Sequence, residues 1–120
     1  SRVKHHLRIK NPNCIAYDVI FGCPGWIQAV ILARQHILVE QTNRYLVIGA
    51  ETLSRVCDPH DRDSMIYADG AGAVILEAKQ SDDRKGIIKV MSQTHSYDEA
   101  YYLYLGHSNR KDFEPHNRYI

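Results

Sequence analysis

The apolar residues of this chain gather in separate stretches whose spacing predicts different backbones. Residues 14–21 run Cys-Ile-Ala-Tyr-Asp-Val-Ile-Phe, nearly all apolar, with Asp18 as the one charge. A short run of this kind bounded by turn residues predicts a strand covered on both faces. Over residues 26–39, Ile27, Val30, Ile31, Leu32, Ile37, Leu38 and Val39 spread around most of a helical circumference, interrupted by Gln28, Arg34, Gln35 and His36. That distribution predicts a core helix, ended by Glu40-Gln41-Thr42-Asn43. Tyr45-Leu46-Val47-Ile48-Gly49-Ala50 is a second apolar strand. Strand, helix and strand in about 37 residues predict a βαβ unit with parallel strands and a right-handed crossover.

Flanking this unit the pattern is simpler. Residues 2–9 predict a short basic helix ending before Asn11-Pro12, because the residue before proline avoids the α region. A polar loop spans residues 51–64. From Met65 to Glu77 the chain reads as a turn at Gly70-Ala71-Gly72 leading into a third strand. Residues 81–86 are a turn, and Ile87 to Met91 a fourth strand antiparallel to the third. After Ser92 the periodicity fades, and Tyr97, Tyr101, Tyr102 and Tyr104 read as pocket lining or, in the simpler reading, as surface cover.

Composition narrows the functional classes. Fifteen basic residues nearly balance fourteen acidic ones, so no strong field favours nucleic acid or an anionic membrane. No apolar run reaches the roughly 20 residues of a membrane span. Three cysteines without small-scaffold spacing argue against a disulfide framework and for a reducing, cytoplasmic setting. Residue 1 falls inside a helical pattern without an initiator Met, and the chain reads as one partial domain of a longer protein.

Cys23 is the candidate for chemistry. It stands between the predicted strand and the predicted helix, followed by Pro24-Gly25-Trp26. A thiol there faces the first N–H groups and the positive dipole end of the helix, which favour thiolate, the nucleophilic form. Pro24 suits a first helical turn. The structural alternative is a buried cysteine packing as a small hydrophobe, the expectation for Cys14 and Cys57. Cys57 and His60 have metal-like spacing, but no second pair completes a tetrahedral site, so no metal is expected. Gly70 and Gly72 lack the third glycine of a nucleotide loop, since position 75 is Ile75, and a strand follows where that loop requires a helix.

Several segments together resemble the 3-oxoacyl-(acyl-carrier-protein) synthase III family. Ala16-Tyr17-Asp18 with Cys23 and Gly25 is similar to its nucleophile segment. Leu46 to Arg55, Asp58-Pro59-His60-Asp61-Arg62, and Asp69-Gly70-Ala71-Gly72-Ala73-Val74 resemble the segments that follow. The likeness covers residues 14–78, and residues 79–120 are a weakly matched continuation.

The resemblance implies an α/β, thiolase-like fold. This chain would belong to its first, N-terminal half, a mixed sheet with a buried core helix carrying the nucleophile at its N-terminus. It implies an acyltransferase in which Cys23 takes the acyl group of an acyl-CoA and passes it to the carbanion of decarboxylating malonyl-ACP, initiating fatty acid synthesis. No cofactor is implied beyond these substrates. The implied partners are acyl carrier protein, acyl-CoA and a second copy of the chain, joined through the strand before Cys23. Arg62 falls at a family position near the CoA entrance, where a guanidinium can meet phosphate or adenine, and on charge alone reads as a loop residue. Trp26 borders the acyl-CoA site or fills core. The family's decarboxylation His and Asn have no counterpart pattern among the seven histidines. The competing readings are a ketosynthase of polyketide or quinolone metabolism and a non-catalytic thiolase-fold scaffold.

Overall fold

The computed structural model describes residues 1–39, 42–83, 85–112 and 119. Glu40 and Gln41, expected to end the core helix, lie outside the described residues, as do Arg84 and His116. The chain divides into two compact units. One comprises Ser1–Val47 with Ile75–Ala78, the other Ile48–Val74 with Lys79–Ile120.

The first unit opens with helix α1, Arg2–His6, whose N-cap Ser1 accepts a hydrogen bond from the Lys4 amide. The helix stops short of residue 9 because Arg8 takes a left-handed φ of 54°. The Ile9 amide then reaches the Lys4 carbonyl and the Arg8 amide the His5 carbonyl, the paired bonds of a Schellman ending. Lys4 Nζ donates to the carbonyls of Asn11 and Cys14 at 2.8 and 2.7 Å, so one ammonium holds the following turn.

Residues 15–21 are not a strand. They form no ladder, and their apolar side chains are largely uncovered: Ile20 is 95% exposed and Ile15 82%. An apolar sequence supplies the propensity for a strand, whereas the strand itself needs a neighbour to accept and donate its backbone bonds. No such neighbour lies beside this run among the described residues. The expected parallel βαβ unit and mixed sheet are therefore not formed.

Helix α2, Gly25–Leu38, appears where the periodicity places it. Its buried residues are Ile31 and Ala33, while Ile27 and Leu38 remain exposed; the helix is covered on one side rather than all round. Its contact with the next strand includes a hydrogen bond of 2.8 Å between Tyr45 Oη and His36 Nδ1.

Strand β1, Arg44–Thr52, and strand β2, Asp69–Glu77, form a two-stranded sheet. The Ala78 amide donates to the Asn43 carbonyl at 2.8 Å, and Ser54 meets Asp69, so the pair is antiparallel. Arg44 Nε donates to Glu77 Oε1 at 3.1 Å. Along β1 burial alternates: Tyr45, Val47 and Gly49 turn inward while Leu46 and Ile48 stay exposed. The glycine turn expected at Gly70-Ala71-Gly72 is instead part of β2.

In the second unit the loop after β1 contains two 3-10 turns, Leu53–Arg55 and Arg62–Ile66. Residues 87–91, expected as a fourth strand, are irregular, with Ile88 and Met91 exposed. The four tyrosines from Tyr97 to Tyr104 are exposed. Gly106 and Tyr119 form an isolated antiparallel bridge. Among the described residues the buried side chains are Ile31, Ala33, Val47 and one charged group, Asp58.

Candidate active site

Cys23 sits in a tight turn at the amino end of α2. Gly22 adopts φ 54°, and the Gly25 amide donates to the Gly22 carbonyl at 3.0 Å. Pro24 is the N-cap, with φ −80° and ψ 4°, and no side chain caps the helix. Helical bonding begins with the Gln28 amide on the Pro24 carbonyl, also at 3.0 Å. The thiol is thus two residues ahead of the first helical residue, and it is exposed and free of any disulfide. A Cβ on Gly22 would meet nothing within 4 Å, so glycine is required there by φ and not by space.

Trp26 lies in the first turn of α2 and is 40% exposed, with Phe21 and Ile27 also exposed. Cys23 and Trp26 belong to the first unit. Arg62 belongs to the second, as the first residue of the second 3-10 turn. Its side chain is 92% exposed and touches Asp63 only at 3.9 Å. Among the described residues, one shallow depression is lined by Lys4, His5, Arg8, Ile9 and Lys10 and another by Ala50, Glu51, Thr52, Gly70 and Ala71; Cys23 lines neither. Among the described residues, no group of three or more His, Cys, Asp or Glu side chains could hold a metal ion. None of the helices there is long and apolar enough to cross a membrane.

The strongest polar constellation was not singled out by the sequence. Asp58 Oδ1 accepts from the His60 amide at 3.0 Å and from Ser108 Oγ at 2.9 Å, and Oδ2 accepts from the Asn109 amide at 2.6 Å. Burial opposes its charge, but the hydrogen bonds from His60, Asn109 and Ser108 outweigh burial and hold the carboxyl below its usual range. Asp69 is likewise lowered, by the Ser54 hydroxyl at 2.6 Å and the Ser54 amide at 2.8 Å. Asp-Pro at residues 58 and 59 is a turn signal that points to the local bond with His60. Nothing local points to Ser108, fifty residues on.

The comparisons with known proteins agree with the resemblance in the motifs. The family model described as 3-oxoacyl-[acyl-carrier-protein (ACP)] synthase III matches residues 17–96. The chain is 39% identical over 100 residues to beta-ketoacyl-[acyl-carrier-protein] synthase III 1 of Vibrio vulnificus, covering 82% of this chain and 29% of that protein. It is 41% identical over 89 residues to the Sphingopyxis alaskensis synthase III, covering 73% of this chain and 28% of the relative. With the Rhodobacter capsulatus synthase III it shares 49% over 71 residues, 58% of this chain and 22% of the relative. No solved structure matches. The chain spans under a third of the length of these relatives. With a family match across residues 17–96, it belongs to the 3-oxoacyl-(acyl-carrier-protein) synthase III family.

Proposed function

We propose that this protein carries out the decarboxylative condensation of an acyl-CoA starter with malonyl-ACP, with Cys23 as the nucleophile. The observation behind this reading is a free, exposed thiol at the uncapped head of a 14-residue helix, inside the matched family region. The Cys23 thiolate attacks the acyl-CoA carbonyl, the tetrahedral adduct collapses, and CoA leaves as its thiol after taking up a proton. Malonyl-ACP then loses carbon dioxide, and the resulting carbanion attacks the acyl-cysteine carbonyl. Expulsion of the cysteine thiolate gives 3-oxoacyl-ACP and restores the enzyme. The Cys23 amide is one donor for the oxyanion of each adduct.

The same reading gives several exposed groups a purpose. Trp26 borders the acyl-CoA path, and the Arg62 guanidinium contacts the nucleotide end of CoA. Residues 15–21, apolar, largely exposed and without a strand neighbour among the described residues, are the edge at which a second copy would dock. Covering a side chain such as Ile20 contributes about 2 kcal/mol, so a paired edge of four such residues is a substantial interface. Acyl carrier protein is the second substrate's carrier, and the reaction belongs to the cytoplasm, where acyl-CoA and malonyl-ACP are made.

The test is incubation of the full-length protein with labelled acetyl-CoA and malonyl-ACP. Labelled acetoacetyl-ACP is expected, preceded by label on Cys23 when malonyl-ACP is withheld. Acyl-enzyme formation without acetoacetyl-ACP would move the reading to a ketosynthase of secondary metabolism. A Cys23→Ser variant with unchanged product formation would end the nucleophile assignment.

A further inference from the structure

Asp58 is the buried charge of the described chain, 3% exposed, and the condensation mechanism gives it no task. Its partners explain where it is used. Two of its three donors are backbone amides, at His60 and Asn109, and the third is the Ser108 hydroxyl. The carboxylate thus ties residues 58–60 to residues 108–109, with Ser108 fifty positions on from Asp58. Ser108 Oγ is itself oriented by accepting from the Arg110 amide at 3.1 Å.

The loop so anchored runs directly into Arg62. The Asp61 amide donates to the Asp58 carbonyl at 3.0 Å, and the Ser64 amide donates to the Asp61 carbonyl at 3.1 Å. Asp61 is the N-cap of the 3-10 turn, its side chain accepting from the Asp63 amide at 2.9 Å. Backbone bonds thus run from Ser64 through Asp61 to the carbonyl of Asp58, the residue whose carboxylate holds the His60 amide. The Arg62 side chain, by contrast, is almost wholly exposed and has one long ion contact. Its backbone position decides where the guanidinium is presented.

We infer that Asp58 is the positioning residue for Arg62: its shared carboxylate fixes the loop and thereby sets affinity for nucleotide-bearing thioesters. This rests on the reading of Arg62 as a CoA contact. An amide cannot replace the acid. Ser108 can rotate its hydroxyl to accept, but the His60 and Asn109 amides cannot, and they lie on different oxygens. Asparagine would turn an NH2 group toward one of them, donor against donor.

The experiment compares Asp58→Asn, Arg62→Ala and the double variant in the full-length enzyme, each with acetyl-CoA and with acetyl-pantetheine, which lacks the nucleotide. Asp58→Asn is expected to raise KM for acetyl-CoA about tenfold, the scale of a displaced binding group. Its kcat should stay within about twofold, and acetyl-pantetheine kinetics should not move. Adding Arg62→Ala should raise KM little further, because the two changes act on one contact. If Arg62→Ala raises KM for acetyl-CoA and Asp58→Asn does not, the positioning role is overturned and the CoA contact stands. If Arg62→Ala leaves that KM unchanged, the CoA contact falls, and the positioning role with it. Equal losses with both thioesters would make Asp58 a general structural residue and also overturn the proposal. Should Asp58→Asn fail to fold, Ser108→Ala decides: it keeps the charge, and a selective rise of about threefold in KM for acetyl-CoA is expected from the loss of one neutral donor.

Discussion

Gly22 connects backbone conformation to the candidate nucleophile in a way that a single methyl group can test. Its φ of 54° lies in the left-handed region, and a Cβ built there meets nothing within 4 Å. A Gly22→Ala change therefore introduces no clash with the surroundings, only the intrinsic penalty of that conformation, about 1–2 kcal/mol for an L-residue. The native turn, closed by the Gly25 amide on the Gly22 carbonyl, would be depopulated roughly 5- to 30-fold relative to alternatives by such a penalty. Cys23, the next residue, would leave the head of α2 in the same proportion. Asparagine tolerates the left-handed region far better than alanine, so Gly22→Asn should recover most of the loss despite its larger side chain. Gly25→Ala is the control: its Cβ would meet Phe21 Cβ at 3.8 Å and the Val19 carbonyl at 3.9 Å, ordinary contacts, and alanine favours the helix. The assay is the rate at which labelled acetyl-CoA acylates Cys23 in the full-length protein, with urea denaturation alongside. Acylation should fall about 5- to 30-fold in Gly22→Ala, much less in Gly22→Asn, and not at all in Gly25→Ala. A Gly22→Ala enzyme as fast as wild type, or an asparagine variant as slow as the alanine one, would refute the reasoning.

Three further outcomes are expected. Arg8 occupies a left-handed position with φ 54° at the end of α1, so Arg8→Gly should stabilise the protein by about 1 kcal/mol in urea denaturation. Tyr45→Phe removes the hydroxyl's hydrogen bond with His36 Nδ1 and should cost about 1 kcal/mol by the same measurement. Asp58 and Asp69 have carboxyls lowered by folding, so the folded state binds fewer protons than the unfolded chain. Their contribution to stability is complete above about pH 4 and is lost as pH falls below it, through the folded values; acid titration of stability should be shallower in Asp69→Asn than in wild type.

The sequence was most legible where a segment's neighbours are its own residues. The apolar spread from Ile27 to Val39 placed α2 within two residues of its observed start, and Tyr45 to Ala50 fell inside β1. The motifs around Cys23, Arg62 and Asp69 led to the family that the comparisons give. Misreadings fell on residues 14–21 and 87–91, as apolar as β1 yet irregular, and on Gly70 and Gly72, read as a turn but held in β2 by its pairing with β1. Asp58 gave a turn signal in Asp-Pro, and no sequence signal of Ser108 or Asn109.

The amino-acid order by itself determined the helices, the position of the thiol at the head of α2, and the family. A helix closes its backbone bonds within a few residues, so local spacing suffices to specify it. Tertiary structure alone decided which apolar runs became strands and which carboxylate was buried. A strand takes its hydrogen bonds from another segment, and a buried charge takes its donors from wherever the chain returns; both depend on contacts between residues far apart in sequence.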